Sequence, residues 1–340
     1  MTANGRPQAP LMTNTHADRV KEVARLAGRP SRLRRREFLA EGPQAVREAL
    51  RLHLTRHEAG QDGVVVDAYA TAEALERHTD IAELSGHDGA PAVRLVTADV
   101  LAAMSSTVTP QGFVAVCRFV DVPLDDVLSA SPRLVAVLVE VRDPGNAGTI
   151  IRAADSAGAD AVILTGASVD PYNPKTVRST VGSLFHLPLV LGAELDGLME
   201  GLRDAGMTVL AADGYGSTSL DDLQDASAQR RFATVRTRRA GPGGDAPSRR
   251  PSGDAASPGP GDADGSNGSD AVGAADSTTV RLEDAGAWLF GNEAQGLPAD
   301  VTAAADARVA VPIYGSAESL NVGTAATVCL YASARAQRLR

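Results

Sequence analysis

The spacing of apolar residues divides the chain into two units. In the first, residues 16–120, apolar residues three and four positions apart predict helices at HADRVKEVARLAG and PQAVREALRLHL. Runs rich in valine and aromatic residues predict strands at VVVDAY, VRLVT and FVAVCRF. Pro43 in a first helical turn and Gly28 after a last one are typical of helix ends. This unit is therefore predicted to be a small α/β domain, with a disordered tail before it at residues 1–15 and a polar linker after it at residues 121–133.

The second unit, residues 134–340, alternates apolar strands with amphipathic helices. Strands are predicted at LVAVLVEV, AVILTG, LPLVLG, MTVLAADG, AWLFGN and ARVAVPI, and a long helix is predicted at the end of the chain. This alternation is typical of an α/β fold in which a mostly parallel sheet has helices on both faces. Residues 236–279 contain almost no large apolar residue, and we expect them to be a disordered insertion in a surface loop.

Composition excludes several classes of protein. Cys117 and Cys329 lie in separate apolar segments, without the spacing of a metal site or a disulfide framework, which indicates a reduced, cytoplasmic protein. The longest apolar run, residues 134–141, is too short to cross a bilayer, and the first residues lack the apolar core of a signal peptide. We therefore expect no membrane association, and no cluster of histidine or cysteine predicts a bound metal.

The charge pattern gives a mixed indication about nucleic acid. A net charge of -9 argues against binding to phosphates, but the stretch GRPSRLRRREF is strongly basic. Guanidinium groups can pair with phosphate through two hydrogen bonds at once. This stretch is either an RNA-binding segment or an ordinary solvated face, and the sequence leaves both interpretations open. The candidate RNA-binding residues are Arg29, Arg32, Arg34, Arg35 and Arg36.

Polar residues follow three of the predicted strands in the second unit. The carboxyl ends of parallel strands lie at one edge of a sheet, so we expect the three clusters to form a single site. In the first cluster, Asn146 lies between Gly145 and Gly148, and Arg152 follows it in the predicted helix. Glycine allows close approach of a ligand to the backbone, and a helix start favours an anion. The alternative is a tight turn followed by an ordinary surface arginine.

The second cluster lies in LFGNEAQGLP, where Gly291 and Gly296 bracket Asn292 and Glu293. A glutamate in this position can form part of a binding site, or it can simply be a favourable charge near the start of the next helix. The sequence alone leaves both interpretations open.

The third cluster lies in VPIYGSAESLNVGTAATVCLYASAR, where Ser319 and Asn321 flank Leu320 and precede the final helix. Ser319 can be a ligand-binding side chain or the N-cap of that helix. Small residues such as Gly323 at the start of the helix predict close packing against a neighbour.

A dinucleotide-binding site or a Rossmann methyltransferase is the main rival interpretation of the first cluster. EVRDPGNAG lacks the G-x-G-x-x-G spacing, and the second strand ends in Thr165 and Gly166, where an acidic residue would bind the ribose hydroxyls. No Ser-His-Asp arrangement is evident from spacing. A nicotinamide- or nucleotide-binding enzyme therefore remains as a rival interpretation. Binding of NAD to the protein would identify it.

DPGNAGTIIRAADSAG, LFGNEAQGLP and VPIYGSAESLNVGTAA resemble, in this order, the three motifs of the SpoU or TrmH family of RNA ribose 2′-O-methyltransferases, in the SPOUT class. REFLAEGPQAVREAL is similar to part of the family's N-terminal substrate-binding domain. The resemblance implies a deep trefoil knot, a pocket for bent S-adenosylmethionine and a homodimer whose interface includes the final helix. It favours ribosomal RNA as the partner; a tRNA methyltransferase and a catalytically inactive RNA-binding protein of the same fold remain open.

The resemblance also assigns roles to single residues. Arg152 would be the general base, although arginine is not deprotonated in proteins, so a phosphate relay or a simple clamp is the alternative. We expect Glu293 and Asn146 to orient it. Ala294 departs from the glycine usual in the family, which predicts a slight change in loop shape. The implied catalytic positions are Asn146, Arg152, Glu293, Ser319 and Asn321, and the implied cofactor-binding positions are Leu289, Gly291, Asn292, Gly296, Ile313, Leu320 and Asn321.

Overall fold

The structure is a computed structural model that describes residues 10–239 and 280–338. The first nine residues of the predicted tail and residues 240–279 of the predicted insertion lie outside the described residues. The prediction of a disordered tail is wrong for residues 10–15. The backbone N–H of Met12 donates to the carbonyl of Leu95 at 3.0 Å, and that of Thr97 donates to the carbonyl of Met12 at 3.1 Å, so this segment pairs with the first unit.

The first unit contains a four-stranded mixed sheet. Its spatial order is β1-β4-β2-β3, with β4 antiparallel to β1 and β2, and β2 parallel to β3. The sequence did not predict β1, because four consecutive residues of this strand are buried and no alternation marks it. The strands are β1 (Glu37–Glu41), β2 (Val65–Ala70), β3 (Val93–Leu95) and β4 (Phe113–Arg118).

Helices cover both faces of this sheet. Helix α3 packs on β1, β2 and β4, whereas α1 and α6 contribute Val20 and Val100 to a separate core that includes Leu39 and Tyr69. The small α/β arrangement expected from the sequence is therefore present. The helices are α1 (Asp18–Ala24), α2 (Arg29–Arg35), α3 (Pro43–Glu58), α4 (Ala72–Arg77), α5 (Thr79–Gly86) and α6 (Ala98–Met104).

The second unit is built on a seven-stranded sheet in which every neighbouring pair is parallel. The spatial order is β7-β6-β5-β10-β8-β11-β9, so the late strand β10 lies in the middle, between β5 and β8. The strands are β5 (Leu134–Leu138), β6 (Ala161–Thr165), β7 (Leu189–Ala193), β8 (Thr208–Ala212), β9 (Thr218–Ser219), β10 (Gly286–Phe290) and β11 (Ala307–Ala310).

Alternate residues of these strands enter two cores, one on each face. Trp288 and Phe290 pack with the helices α8 and α13, and the neighbouring Leu289 packs with α10 and α12. The prediction of a mostly parallel sheet covered on both faces is thereby confirmed. The helices are α7 (Leu124–Ser129), α8 (Pro144–Ala157), α9 (Pro174–Thr180), α10 (Leu195–Asp204), α11 (Leu220–Arg239), α12 (Ala299–Ala304) and α13 (Val322–Arg338).

Two predictions about irregular segments are wrong. The supposed linker at residues 121–133 contains α7, whose Val127 is buried beneath the large sheet, and Asp121 forms a bridge with Leu189. Helix α11 was missed because its sequence is largely polar, and it extends to Arg239, inside the predicted insertion. None of the helices in the described part of the chain is long and apolar enough to cross a membrane.

His186 joins the two units through carboxylates on both sides. Its Nδ1 lies 2.8 Å from Asp155 Oδ2 on α8, and its Nε2 lies 3.2 Å from Glu48 Oε2 on α3. Burial alone would lower the pKa of His186, but the hydrogen bonds to Asp155 and Glu48 outweigh burial and raise this pKa above its ordinary value. The imidazolium form therefore stabilises the contact between the units.

We expect this contribution to depend on pH. A raised folded-state pKa gives stability that is complete below the unfolded-state pKa of about 6.5 and is lost as the pH rises through the folded-state value. The Tm difference between the wild type and His186→Gln should therefore be larger near about pH 5.5 than near about pH 8.5. Calorimetry at both pH values measures it, with the exposed His87 replaced by Gln as the matched control. Equal differences at the two pH values would contradict the bridge.

Candidate functional site

Three side chains from the three predicted clusters meet at the carboxyl edge of the large sheet. Asn146 Nδ2 donates to Glu293 Oε1 at 3.1 Å, and Asn321 Nδ2 donates to Asn146 Oδ1 at 2.9 Å. Asn146 lies in the first turn of α8 after β5, Glu293 follows β10, and Asn321 precedes α13. We call these three residues the amide–carboxylate cluster.

The start of α8 fixes the position of Asn146. Asp143 is the N-cap residue, and its Oδ1 accepts a hydrogen bond from the Asn146 backbone N–H at 2.9 Å. This hydrogen bond, together with Lys175 Nζ at 3.2 Å from Asp143 Oδ2, lowers the pKa of the Asp143 carboxyl group. Pro144 occupies the first turn, where its missing N–H costs nothing.

Glu293 is held as an anion. Besides Asn146, the backbone N–H groups of Asp143 and Arg142 donate to its carboxylate at 3.0 and 3.2 Å. Burial alone would raise the pKa of Glu293, but the hydrogen bonds from Asn146 and from these backbone groups lower it below its usual range. A carboxylate stabilised in this way is a weak base, so Glu293 is suited to orienting its donors rather than to accepting a proton.

A closed turn after β10 carries Glu293. The backbone groups of Asn292 and Gly296 exchange two hydrogen bonds, at 2.9 and 2.8 Å, and Asn292 Nδ2 donates to the Glu140 carbonyl at 3.0 Å. Gly296 has a φ of +70°, and a Cβ on Gly291 would lie 2.3 Å from the carbonyl carbon of Gly296. The two glycines that bracket the motif are therefore required by the turn, because a side chain on Gly291 would collide with backbone.

A cavity of about 540 Å³ opens beside the cluster, at the ends of β8, β10 and β11. Five of the seven predicted cofactor-binding residues line it, together with Ser319, and its remaining wall includes Phe290, Leu297 and Val311. It thus combines apolar and polar residues, as small-molecule sites usually do. The five predicted residues are Gly291, Asn292, Gly296, Ile313 and Leu320.

Two predicted cofactor-binding residues do not line the cavity. Leu289 is fully buried in the core formed with α10 and α12, and of these two neighbours only Phe290, the last residue of β10, borders the cavity. Asn321 turns its amide toward Asn146, and its Oδ1 accepts from the Gly323 N–H at 2.9 Å. Asn321, not Ser319, therefore caps α13, and Ser319 is left exposed at the cavity.

Arg152 lies apart from the amide–carboxylate cluster. Its side chain is exposed on α8 and makes no hydrogen bond to a residue in the described ranges. The expectation that Glu293 and Asn146 orient it is not met within one chain, because six residues at 3.6 per turn place Arg152 about 120° around the helix from Asn146.

Sequence reasoning missed an ion pair at the far wall of the cavity. Arg308 on β11 donates to Asp213 Oδ2 through Nε and Nη2 at 2.9 and 2.7 Å, and Asp213 follows β8 directly. Tyr215, which is 92% exposed, lies beside them at the cavity rim. The rule that ligands bind at the carboxyl ends of parallel strands could have identified Asp213 in MTVLAADG.

The arginine-rich segment forms α2, and its arginines differ in their surroundings. Arg32 is 2% exposed and pairs with Asp170 Oδ2 at 2.7 Å, so the prediction that it binds RNA is wrong. Its guanidinium links the two units and cannot reach a phosphate. Arg29 and Arg34 are exposed, and their predicted contact with RNA stays a prediction.

Arg35 and Arg36 both have acidic partners. Arg35 lies 2.8 Å from Glu37, and Arg36 lies 3.0 Å from Asp121 and 4.9 Å above the ring of Phe119. These contacts reduce the charge available to RNA at α2. Within residues 10–239 and 280–338, no group of three or more His, Cys, Asp or Glu side chains is arranged to hold a metal ion.

Comparison with known proteins gives consistent matches over both units. The profile described as the SpoU rRNA Methylase family matches residues 133–235 and 267–331, and that of the MRM3-like substrate binding domain matches residues 17–115. A 23S rRNA (guanosine(2553)-2′-O)-methyltransferase, RlmP, of Bacillus subtilis is 29% identical over 92% of this chain and 94% of its own length.

Two further matches support this assignment. An uncharacterized tRNA/rRNA methyltransferase of Synechocystis is 30% identical over 72% of this chain and 67% of its own length. The crystal structure of an AdoMet-bound rRNA methyltransferase from Sinorhizobium meliloti has a TM-score of 0.66 and 25% identity, and covers 97% of this chain and 98% of that one. With its three motifs brought together at the edge of a parallel sheet, the chain belongs to the SpoU rRNA Methylase family.

Proposed function

We propose that this protein transfers a methyl group from S-adenosylmethionine to a ribose 2′-hydroxyl of ribosomal RNA. The observation that carries the proposal is the amide–carboxylate cluster, which joins all three motifs at the rim of the cavity. The relatives named as 23S rRNA and AdoMet-bound rRNA methyltransferases support both the substrate and the cofactor.

The cavity fits S-adenosylmethionine in size and in chemistry. A volume of about 540 Å³ is within the range of roughly 300–1,000 Å³ usual for small-molecule sites. Ile313 and Leu320 are 38% and 37% exposed at its wall and offer apolar surface to a base. Asn292 and Gly296, which close the turn after β10, also line the cavity and offer polar groups beside this apolar surface.

When bound, S-adenosylmethionine supplies an electrophilic methyl group, so the protein's main task is to position the ribose hydroxyl and dispose of its proton. Positioning of this kind can supply on the order of 7–11 kcal/mol. Glu293 fixes the amide of Asn146, and Asn321 fixes its carbonyl oxygen, which leaves one Asn146 N–H free to orient the sugar. The guanidinium of Arg152 is suited to clamping an RNA phosphate, because arginine can form two charge-assisted hydrogen bonds to it and is a poor proton acceptor.

The first test compares the wild type with Asn146→Ala. We expect the wild type to methylate a 23S rRNA transcript, and the variant to lose roughly 10²-fold in kcat, because one preorganised hydrogen-bond donor is gone. The Kd for S-adenosylmethionine, measured by calorimetry, should stay at the wild-type value. The exposed Asn14→Ala is the matched control. An unchanged kcat in Asn146→Ala would exclude the cluster as the positioning device.

The same assay separates the alternatives. Methylation of tRNA but not of rRNA would identify a tRNA methyltransferase, and binding of RNA without any S-adenosylmethionine binding would identify an inactive relative. Binding of NAD by calorimetry would favour the nicotinamide enzyme. The cavity and the amide–carboxylate cluster together favour the rRNA methyltransferase.

We further propose that the C-terminal part of the second unit forms a trefoil knot. Support comes from β10, which lies between β5 and β8 although it follows them in sequence by a long segment, and from α13, which packs against α8, β5 and β10. The proposal includes the division into domains at residues 16–120 and 134–340, which the two separate sheets support.

A homodimer through α8 and α13 is part of the same proposal. Val328 and Tyr331 of α13 are 37% and 49% exposed, and Tyr331 donates to the carbonyl of Ser156 on α8 at 3.4 Å. Arg152 is exposed on the same helix as Ser156, so a partner on this face would lie close to it. Sedimentation that finds only a monomer at micromolar concentration would contradict the dimer.

A further inference from the structure

A second, smaller cleft lies between the first unit and helix α9 of the second. It encloses about 210 Å³, at the end of β1 and beside the loop of residues 105–112. Its lining is polar and includes Glu41, Ser105, Thr107, Thr109, Gln111 and Arg178. We call it the interdomain cleft.

A fixed ion pair forms one wall of the interdomain cleft. The Glu41 side chain is 2% exposed, and its two oxygens accept from the backbone N–H and the hydroxyl of Ser106 at 2.5 and 2.7 Å. Arg178 donates to Glu41 Oε2, and to Ser106 Oγ at 2.8 Å. Since Glu41 and Ser106 belong to the first unit and Arg178 to the second, these bonds hold the cleft in one shape.

Within the described part of the chain, several polar groups of the loop of residues 105–112 lack the hydrogen bonds that fix Glu41, Ser106 and Arg178. Ser105 Oγ is buried and has no hydrogen-bond partner among the described residues. Thr109 and Gln111 are exposed, and between them and Ser105 the side chain of Val108 is fully exposed at 101%. A buried hydroxyl without a partner is unfavourable, and a ligand that supplies one removes this cost. The loop thus offers hydroxyl and amide groups to a partner from outside.

Helix α9 links the interdomain cleft to the amide–carboxylate cluster. Arg178 lies one turn after Lys175 on α9, and Lys175 Nζ is 3.2 Å from Asp143 Oδ2. The backbone N–H of Asp143 in turn donates to Glu293 at 3.0 Å. Lys175 is 58% exposed, and a surface pair of this kind contributes little, so a phosphate can replace its partner at low cost. The cations of α9 therefore lie between the cleft and the cluster.

We propose that the interdomain cleft binds an unpaired base of the RNA substrate, next to the nucleotide that is methylated. Its volume is below the range of drug-sized sites, which fits one planar group. Neutral hydroxyl and amide groups match the hydrogen-bonding edge of a base, and the exposed Lys175 matches an adjoining phosphate. The inference rests on the proposed function and names how the same enzyme selects its RNA. It also adds α9 and the 105–112 loop to the expected RNA contacts of Arg29 and Arg34 in α2.

The double variant Thr109→Ala, Gln111→Ala tests this inference. We expect its KM for a 23S rRNA transcript to rise roughly 5- to 100-fold, because hydrogen bonds to one base are lost. The kcat at saturating RNA and the Kd for S-adenosylmethionine should stay at the wild-type values. Gln61→Ala, an exposed glutamine elsewhere in the first unit, is the matched control and should leave KM unchanged.

Removal of single bases from the RNA gives an independent readout. In the shortest methylated fragment, nucleotides near the target are replaced one at a time by abasic ones. At one position, the abasic replacement should raise the KM of the wild type but not raise the KM of the double variant any further. The hydrogen bonds between that base and residues 109 and 111 are already lost in the double variant, so they cannot be lost a second time. If both proteins respond equally at every position, or if the double variant keeps the wild-type KM, the inference fails. If the wild type methylates no RNA at all, the proposed function fails instead.

Discussion

Replacing Arg152 with alanine should reduce methyl transfer by up to roughly 10³-fold, the largest effect expected of any single change in this protein. The guanidinium is exposed on α8 and is free of hydrogen bonds to the described residues, so it is available to a bound RNA. A phosphate clamped by Arg152 fixes the ribose, and loss of the clamp misplaces the hydroxyl. The effect should fall on kcat at saturating RNA, measured by transfer of a labelled methyl group.

The Kd of Arg152→Ala for S-adenosylmethionine should equal that of the wild type, since Arg152 does not line the cavity. Arg281→Ala, an exposed arginine in the second unit, serves as the control and should retain full activity. Arg152→Lys separates the possible roles, because lysine keeps the charge but loses the two-pronged contact with phosphate. Wild-type turnover in Arg152→Ala would exclude both a clamp and a base.

Replacing Arg32 with alanine should lower the free energy of unfolding by about 3–5 kcal/mol, because it leaves a buried acidic partner unpaired. Arg32 Nε and Nη2 donate to Asp170 Oδ2 at 3.1 and 2.7 Å. Its Nη1 donates to the carbonyls of Leu26 and Ala27 at 3.0 and 2.6 Å. The Asp170 side chain is only 12% exposed, so water cannot fully replace the lost donor. Urea denaturation followed by circular dichroism measures the change.

Arg34→Ala is the matched control for Arg32→Ala. Arg34 lies on the same helix but is exposed, so its loss should change the free energy of unfolding by less than about 0.5 kcal/mol. Asp170→Asn should show a large part of the Arg32→Ala effect, since it removes the charge from the same pair. Equal stability of the Arg32→Ala and Arg34→Ala variants would show that Arg32 is not a buried link between the units.

The sequence predicted that the three polar clusters meet at one edge of the sheet, and this is confirmed. Asn146, Glu293 and Asn321 follow or precede predicted elements of one parallel sheet, and the structure brings them within hydrogen-bonding distance of each other. The sequence did not predict which of these side chains bond to each other, with Asn146 between Glu293 and Asn321. The expectation that Glu293 and Asn146 orient Arg152 was not met, because Arg152 lies about 120° around α8 from Asn146. A sequence motif gives the spacing of these residues but not the neighbours of each helix face.

The sequence by itself determined the elements whose apolar residues recur at a regular spacing, namely the apolar strands and amphipathic helices of the second unit. Their alternation was enough to predict a parallel sheet with helices on both faces and polar residues at its carboxyl edge. These patterns are local, because each depends on residues a few positions apart.

Only the tertiary structure decided which of several similar residues are used. Arg32 and Arg34 lie in one short helix, yet Arg32 is buried against Asp170, 138 residues away, and Arg34 is exposed. The burial of Val127 in α7, which lies in the supposed linker, likewise depends on a sheet formed by distant segments. Which partner a side chain contacts depends on how distant segments pack together. Such long-range contacts produce no periodic pattern in the sequence, so the sequence alone does not predict them.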